Sequence, residues 1–219
     1  MPISPTNRRY LAFLKDIAEV SAACGTATYI WGGFTADLLA GHYLREHRDL
    51  DGFTRDLLAL RGDLLAGYTA RGYAAEFRTD FDILVIRRDG LHAAFNRLEL
   101  AGDLAMWRHI GRQGTVYFPL AWLDGAPRDF HGVPVYSAGA ELDYAIKREV
   151  RLLNPEWRPR PSDAEALARA EEALLRRGLD PAEVLARVWA YNPFWAKRGY
   201  GEYALPVTGR RGAEGGRPA

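Results

Sequence analysis

Tyr29-Ile-Trp-Gly-Gly-Phe-Thr-Ala-Asp-Leu-Leu-Ala-Gly41, continuing as His42-Tyr-Leu-Arg-Glu-His-Arg-Asp-Leu-Asp-Gly-Phe53, is the most informative stretch of the chain. The apolar run Ala27 to Trp31 ends at Gly32-Gly33 and reads as a buried strand. Phe34 to Ala40 reads as a short helix stopped by Gly41. Asp49 to Phe53 is a candidate second strand. Without Cβ atoms, Gly32 and Gly33 let a ligand approach the backbone closely where a helix begins, a geometry that suits phosphate oxygens. Alone, such a pair also reads as a tight turn. On a strand, Asp49 and Asp51 share a face with roughly 7 Å between their Cα atoms. Two such carboxylates raise each other's pKa unless a cation lies between them. Oxygen ligands of this kind suit magnesium, completed by substrate phosphates. A solvated pair on an edge strand is the plain alternative. Arg45 could clamp a phosphate, and His47 could orient an aspartate or touch phosphate. Individually they also read as a surface arginine and a hydrogen-bonded, partly buried histidine.

Outward from this stretch, residues 8–22 read as an amphipathic helix, with Tyr10, Phe13, Leu14, Ile17 and Val20 at helical spacing. Arg55 to Arg71 reads as a helix with Leu57, Leu58, Leu60, Leu64 and Leu65 on its apolar side. Phe81–Arg88 and Leu91–Leu98 flank Asp89-Gly90, a favoured two-residue hairpin turn. That register sets Asp82 opposite Arg97 and Asp80 opposite Glu99. Residues 114–136 read as further strands broken at Asp124-Gly125 and Gly132-Val-Pro. Helices are expected over about 140–152, over about 162–177 with Ser162 as N-cap, and from Asp180-Pro181. The expected organisation is a mixed α/β half, 1–137, a helical half, 138–207, and a disordered tail, 208–219. The fold class is α+β, a mixed sheet flanked by helices and followed by a small helical half.

The chain has 219 residues, 48% hydrophobic and 26% charged, enough to bury a core. A formal net charge of +1 gives no broad basic field for nucleic acid. Basic residues are nearly all arginine; Lys15, Lys147 and Lys197 are the lysines. A single cysteine, Cys24, excludes an intrachain disulfide and a cysteine-rich zinc site. No apolar run approaches the ~18 residues of a membrane span, and Met1 to Arg9 lacks the apolar core of a signal peptide. The expected location is the cytoplasm.

Gly-Gly, a short helix, Gly41 and then Arg45-x-His47-x-Asp49-Leu-Asp51 together resemble the polymerase-β-like nucleotidyltransferases, most nearly the aminoglycoside and lincosamide nucleotidyltransferases. Asp37 sits where those enzymes often carry an acid. His131-Gly-Val-Pro-Val-Tyr-Ser137 is similar to their strand leading into a helix, and Arg160-Pro-Ser-Asp163 with Glu165 to a later helix opening. The resemblance spans about residues 8–178. It implies that a nucleoside triphosphate, ATP by expectation, binds with Mg2+. Gly32 and Gly33 would hold the triphosphate tail, helped by Arg45 and His47, and Asp49 and Asp51 would carry the metal. An acceptor hydroxyl would attack the α-phosphorus and release pyrophosphate.

One departure stands out. The family's third carboxylate, a metal ligand or base on the strand after the hairpin turn, falls here on Ala93 or Ala94. Glu99 is the first candidate to replace it, although it lies roughly 17–20 Å further along an extended strand. Asp82 and His92 are the others. Alternatively the acceptor is a phosphate or carboxylate and needs no base, or the protein binds nucleotide without transferring it. The aromatic stretch Trp189 to Tyr203 could stack a base or a ring-shaped acceptor, or simply close the helical half. Acidic residues of that half, such as Asp163, Glu165 and Glu171, are offset by Arg158, Arg160, Arg169 and others, so charge does not favour a polycationic acceptor. The expected partner is a small-molecule acceptor, with neither membrane nor nucleic acid. An RNA or protein acceptor is the remaining alternative, and oligomeric state leaves no sequence signal.

Overall fold

A computed structural model describes residues 3–109, 114–149, 158 and 161–192. Helix α1 (Pro5–Ala23) starts earlier than its apolar spacing suggests, because Pro5 fits the first helical position and the Ser4 hydroxyl accepts from the Asn7 N–H. Strand β1 (Thr28–Trp31) runs into a single 3-10 turn (Gly32–Phe34) and then α2 (Thr35–Ala40). Gly41 ends α2 with φ +73, a left-handed value that a side chain would strain.

Strand β2 (Leu50–Arg55) extends two residues beyond the expected segment. The reason is polar pairing across the sheet. The Thr54 and Thr28 hydroxyls lie 2.8 Å apart, and the Arg55 N–H donates to the Ala27 carbonyl. Asp56, at φ +56, ends the strand, and one turn carrying the buried Leu57 precedes α3 (Arg61–Ala70). The leucine spacing from 57 onward therefore belongs to a turn followed by a shorter helix.

Strands β3 (Ala74–Arg78), β4 (Ile83–Arg88), β5 (Leu91–Ala101), β6 (Leu104–His109) and β7 (Gly114–Pro119) form an antiparallel run. Asp89 and Gly90, at φ +51 and +79, make the expected turn between β4 and β5. No sequence pattern marked β3 or β6. β3 is an edge strand with its largest side chains half in water, and β6 begins right after a two-residue Gly102-Asp103 turn. Strands β8 (Arg128–Phe130) and β9 (Val133–Ser137) close a second hairpin. The described sheet has nine strands, in the order β3-β4-β5-β2-β1-β9-β8, with β6 and β7 continuing from β5. It is mixed, because β1 runs parallel to β9 and β2 parallel to β5.

Helices α4 (Ala140–Arg148), α5 (Pro161–Arg176) and α6 (Pro181–Tyr191) follow. Asp180 caps α6 as expected, its carboxylate accepting from the Ala182 N–H. α5 begins at Pro161, so Ser162 lies inside its first turn rather than at the cap. The tail from 193 onward, with most of the aromatic stretch, lies outside the described residues; of that stretch, Trp189 on α6 packs on the core. No helix among the described residues is long and apolar enough to cross a membrane.

The alternating side chains of β2 and β5 feed two cores. Leu50, Ala93 and Phe95 face α1 and α3, whereas Phe53 and Leu98 face the side covered by α4, α5 and α6. Gly52 sits against the Phe95 ring of the first core. A Cβ there would stand 2.7 Å from the Phe95 ring. Gly52→Ala should therefore destabilise the protein by about 1–3 kcal/mol in a urea titration, by overpacking alone.

Candidate active site

The site lies at the start of β2, on the face shared with the second core. Asp51 pairs in register with Trp31 of β1 on one flank and Ala94 of β5 on the other. Asp49 precedes the strand and is exposed, while Asp51 is half-buried. Burial, with the Asp49 charge added, pushes the Asp51 carboxyl up to about 7. Leu50 between them is buried in the opposite core. Asp49 thus stands close enough for its charge to act on Asp51, and Leu50 between them anchors the segment from the other face.

The Gly32 turn abuts this pair. Gly32 adopts φ +79, and a Cβ on it would stand 3.0 Å from Asp51 Oδ2. The neighbouring Gly33 is covered by the Arg45 guanidinium, which would collide with any side chain there and which also donates to the Glu46 carbonyl. Gly32 is therefore needed for its conformation and is tight for space, whereas a side chain at Gly33 would have to push the Arg45 guanidinium aside. A second cation arrives from α4. Lys147 Nζ donates to the Gly32 carbonyl at 3.2 Å and is ion-paired with Asp143 four residues earlier. Burial raises the Asp143 carboxyl, and the Lys147 charge opposes that shift. No sequence motif pointed to Lys147, which reaches the turn only through the packing of α4. Its one signal is that a chain built on arginine keeps a lysine there.

His47 is not open to a ligand. Its Nε2 lies 2.8 Å from Asp37 Oδ2, both side chains are 1% exposed, and the Phe34 ring packs on the imidazole. The same Asp37 oxygen accepts from the Leu44 N–H. Of the two expectations for His47, the geometry sets it on an aspartate, Asp37, rather than toward a phosphate, as an internal tie that holds loop 41–48, and with it Arg45, onto α2. His47→Ala should cost about 2 kcal/mol by stranding a buried carboxylate, measured by denaturant unfolding. Triphosphate affinity should also weaken where the variant stays folded, because the released loop carries Arg45.

Glu99 is also displaced from its expected place. Five residues separate it from Ala94 on an unbroken strand, so it projects from the opposite face, where it pairs with Arg97. Arg97 is bonded in turn to Asp82 at 2.9 Å, so the cross-strand pair expected from the hairpin is present and occupies Asp82 as well. The register selects Ala94, rather than Ala93, as the neighbour of Asp51. Of the three candidate substitutes, only His92 shares the face of Asp49 and Asp51.

Among the described residues, no three His, Cys, Asp or Glu side chains gather to hold a metal. The donor set fits magnesium nonetheless, since that ion commonly takes one or two carboxylates and completes its shell with water and substrate phosphates.

No family model matches the chain, and no curated protein matches its sequence. Solved structures do. The solution structure of the antibiotic-resistance factor ANT(2'')-Ia superposes with a TM-score of 0.67 at 15% identity, over 90% of this chain and 98% of that one. A crystal structure of ANT(2'')-Ia in complex with adenylyl-2''-tobramycin gives 0.64 at 16% identity, over 85% and 99%. The lincosamide antibiotic adenylyltransferase LnuA, bound to lincomycin, gives 0.54 at 13% identity, over 79% and 99%. The chain has the fold of the polymerase-β-like nucleotidyltransferases, a mixed sheet flanked by helices with a helical C-terminal part.

Proposed function

We propose that the protein is a magnesium-dependent nucleotidyltransferase that moves a nucleoside monophosphate, AMP from ATP, onto a small-molecule acceptor and releases pyrophosphate. The observation that carries this reading is the abutment of the Gly32 turn on the Asp51 carboxylate, with Arg45 and Lys147 beside the same turn. Gly32 and Gly33 leave room for phosphate oxygens at the backbone. Arg45 offers a planar fork and Lys147 a compact charge for the triphosphate tail. Asp49 and Asp51 would hold the metal, which supplies charge neutralisation on the attacking and leaving oxygens. The protein's own work is positioning, because in-line displacement at phosphorus needs little covalent help.

Parallel incubations with α-labelled and γ-labelled ATP test the reading across a panel of small hydroxyl, carboxyl and phosphoryl compounds. Label from the α-position should move to the acceptor, while γ-label leaves as pyrophosphate. Transfer of γ-label to the acceptor would contradict it. Ala94 beside Asp51 favours one other reading, a nucleotide-binding protein that does not transfer. That reading predicts triphosphate binding without pyrophosphate release for any acceptor.

A further inference from the structure

The flanks of Asp51 divide the labour. The β1 flank carries the Gly32 turn and Lys147, where the triphosphate tail belongs on the nucleotidyltransfer reading. In-line displacement sets the attacking oxygen opposite the leaving pyrophosphate. The acceptor therefore approaches over the other flank, across β5 and β4.

The register gives the composition of that floor. Asp51 is followed outward by Ala94, Val85 and Glu76. Leu50 pairs with Ala93, so His92 falls beside Asp49, and His92 pairs in turn with Arg87. Residues two apart share a face, so His92, Arg87 and Ala94 stand on the side of Asp51, with Val85 on that side too but buried. Beside Asp51 stands the methyl group of Ala94, which takes no proton, with the buried Val85 one strand further out. Arg87 is 53% exposed, and its ion pair with Glu76 is loose, at 3.8 Å. The His92 ring is half-buried, with no hydrogen-bond or ion-pair partner among the described residues. Among the described residues, the acceptor floor thus offers N–H donors and, Asp49 apart, no carboxylate next to Asp51.

We propose that the acceptor's attacking oxygen is already an anion, a carboxylate or a phosphate, held by Arg87 and His92. This rests on the nucleotidyltransfer reading. A lone pair of that oxygen forms the new bond to the α-phosphorus. The bond from the α-phosphorus to the oxygen bridging to the β-phosphate breaks, and pyrophosphate leaves with the electron pair. No proton is moved, so no base is needed. The product is a mixed acyl-phosphate anhydride or a pyrophosphate-linked nucleotide. A carboxylate at position 94 would repel such an acceptor, which accounts for alanine there.

Minimal nucleophiles test this without knowledge of the natural acceptor. Inorganic phosphate and acetate serve as anions and glycerol as the hydroxyl compound, each saturating with Mg-ATP, and pyrophosphate release is followed. Calorimetry reads Mg-ATP binding, and the binding of the anions to the complex with a non-hydrolysable ATP analogue. Phosphate or acetate should speed release at least about tenfold more than glycerol. Phosphate acting alone assigns a phosphate acceptor, and acetate acting alone a carboxylate acceptor. Arg87→Gln should weaken anion binding about tenfold and leave Mg-ATP affinity unchanged. Ala94→Asp should lower the anion-dependent rate. Faster release with glycerol, no acceleration by either anion in a protein that binds Mg-ATP, or a rise in the glycerol rate with Ala94→Asp would each overturn the proposal. Glycerol activity abolished by His92→Ala would assign a hydroxyl acceptor with His92 as its base. Failure of Mg-ATP to bind would instead overturn the reading on which the proposal rests.

Discussion

Asp51→Asn is expected to lower nucleotidyl transfer by on the order of 10²–10³-fold or more, while the folded structure stays intact. Asparagine keeps the shape and one oxygen but loses the charge that a divalent cation needs. Because only Asp49 and Asp51 stand at this point among the described residues, no third carboxylate is present to compensate. Asp49→Asn should behave alike. The loss should appear in kcat/KM and in magnesium-dependent triphosphate binding together, since metal and phosphates share one coordination shell. A variant that kept full affinity for Mg-ATP would show that the pair does not hold the metal.

The same substitution is expected to stabilise the metal-free protein at high pH. The Asp51 carboxyl is raised from 3.8 to about 7 by burial and by Asp49. Between those values the folded state holds a proton that the unfolded state has lost, so stability falls as pH rises through the window. The full penalty applies above about pH 7 and vanishes below about pH 4. The gap corresponds to at most ~4 kcal/mol, reduced by water at this half-buried position. In a protein of this size, thermal unfolding at pH 8 without magnesium should shift up by roughly 5–10 °C for Asp51→Asn. The difference from wild type should shrink toward zero near pH 4. Magnesium should raise the wild-type midpoint more than the variant's. Equal midpoints at pH 8 would mean that Asp51 is not strained by its surroundings. The substitution therefore separates stability from activity, because the carboxylate that burdens the fold is the one proposed to hold the metal.

Much of this site was legible along the chain because it is local. Gly32, Gly33, Arg45, Asp49 and Asp51 lie within twenty residues, and a strand, a turn and a short helix suffice to bring them together. The Asp89-Gly90 hairpin was legible for the same reason, and it set Asp82 against Arg97 correctly, although Met106 of β6 rather than Asp80 stands opposite Glu99. Lys147 was not, because 115 residues separate it from Gly32 and only helix packing joins them. His47 shows how a short motif can mislead, since its spacing from Asp49 says nothing about Asp37, ten residues earlier, which captures it. Glu99 failed on alternation, for an odd offset from Ala94 sends it to the wrong face whatever its distance. The residue that selects Ala94 over Ala93 is Asp51 itself, through a parallel pairing between strands that no local pattern encodes. β3 and β6 escaped notice because an edge strand and a continuation strand need little apolar alternation of their own.

The central claim is that the Gly32 turn and the Asp49–Asp51 pair form one site for a magnesium–triphosphate complex. Calorimetric titration of ATP, GTP, CTP and UTP, with and without magnesium, tests it most directly, using wild type and the Asp49→Asn/Asp51→Asn double variant. Magnesium-dependent binding of a triphosphate to wild type, ATP by expectation, lost in the double variant, is the predicted result. A folded wild-type protein that binds no triphosphate, or binds one equally well without magnesium and in the double variant, would contradict it.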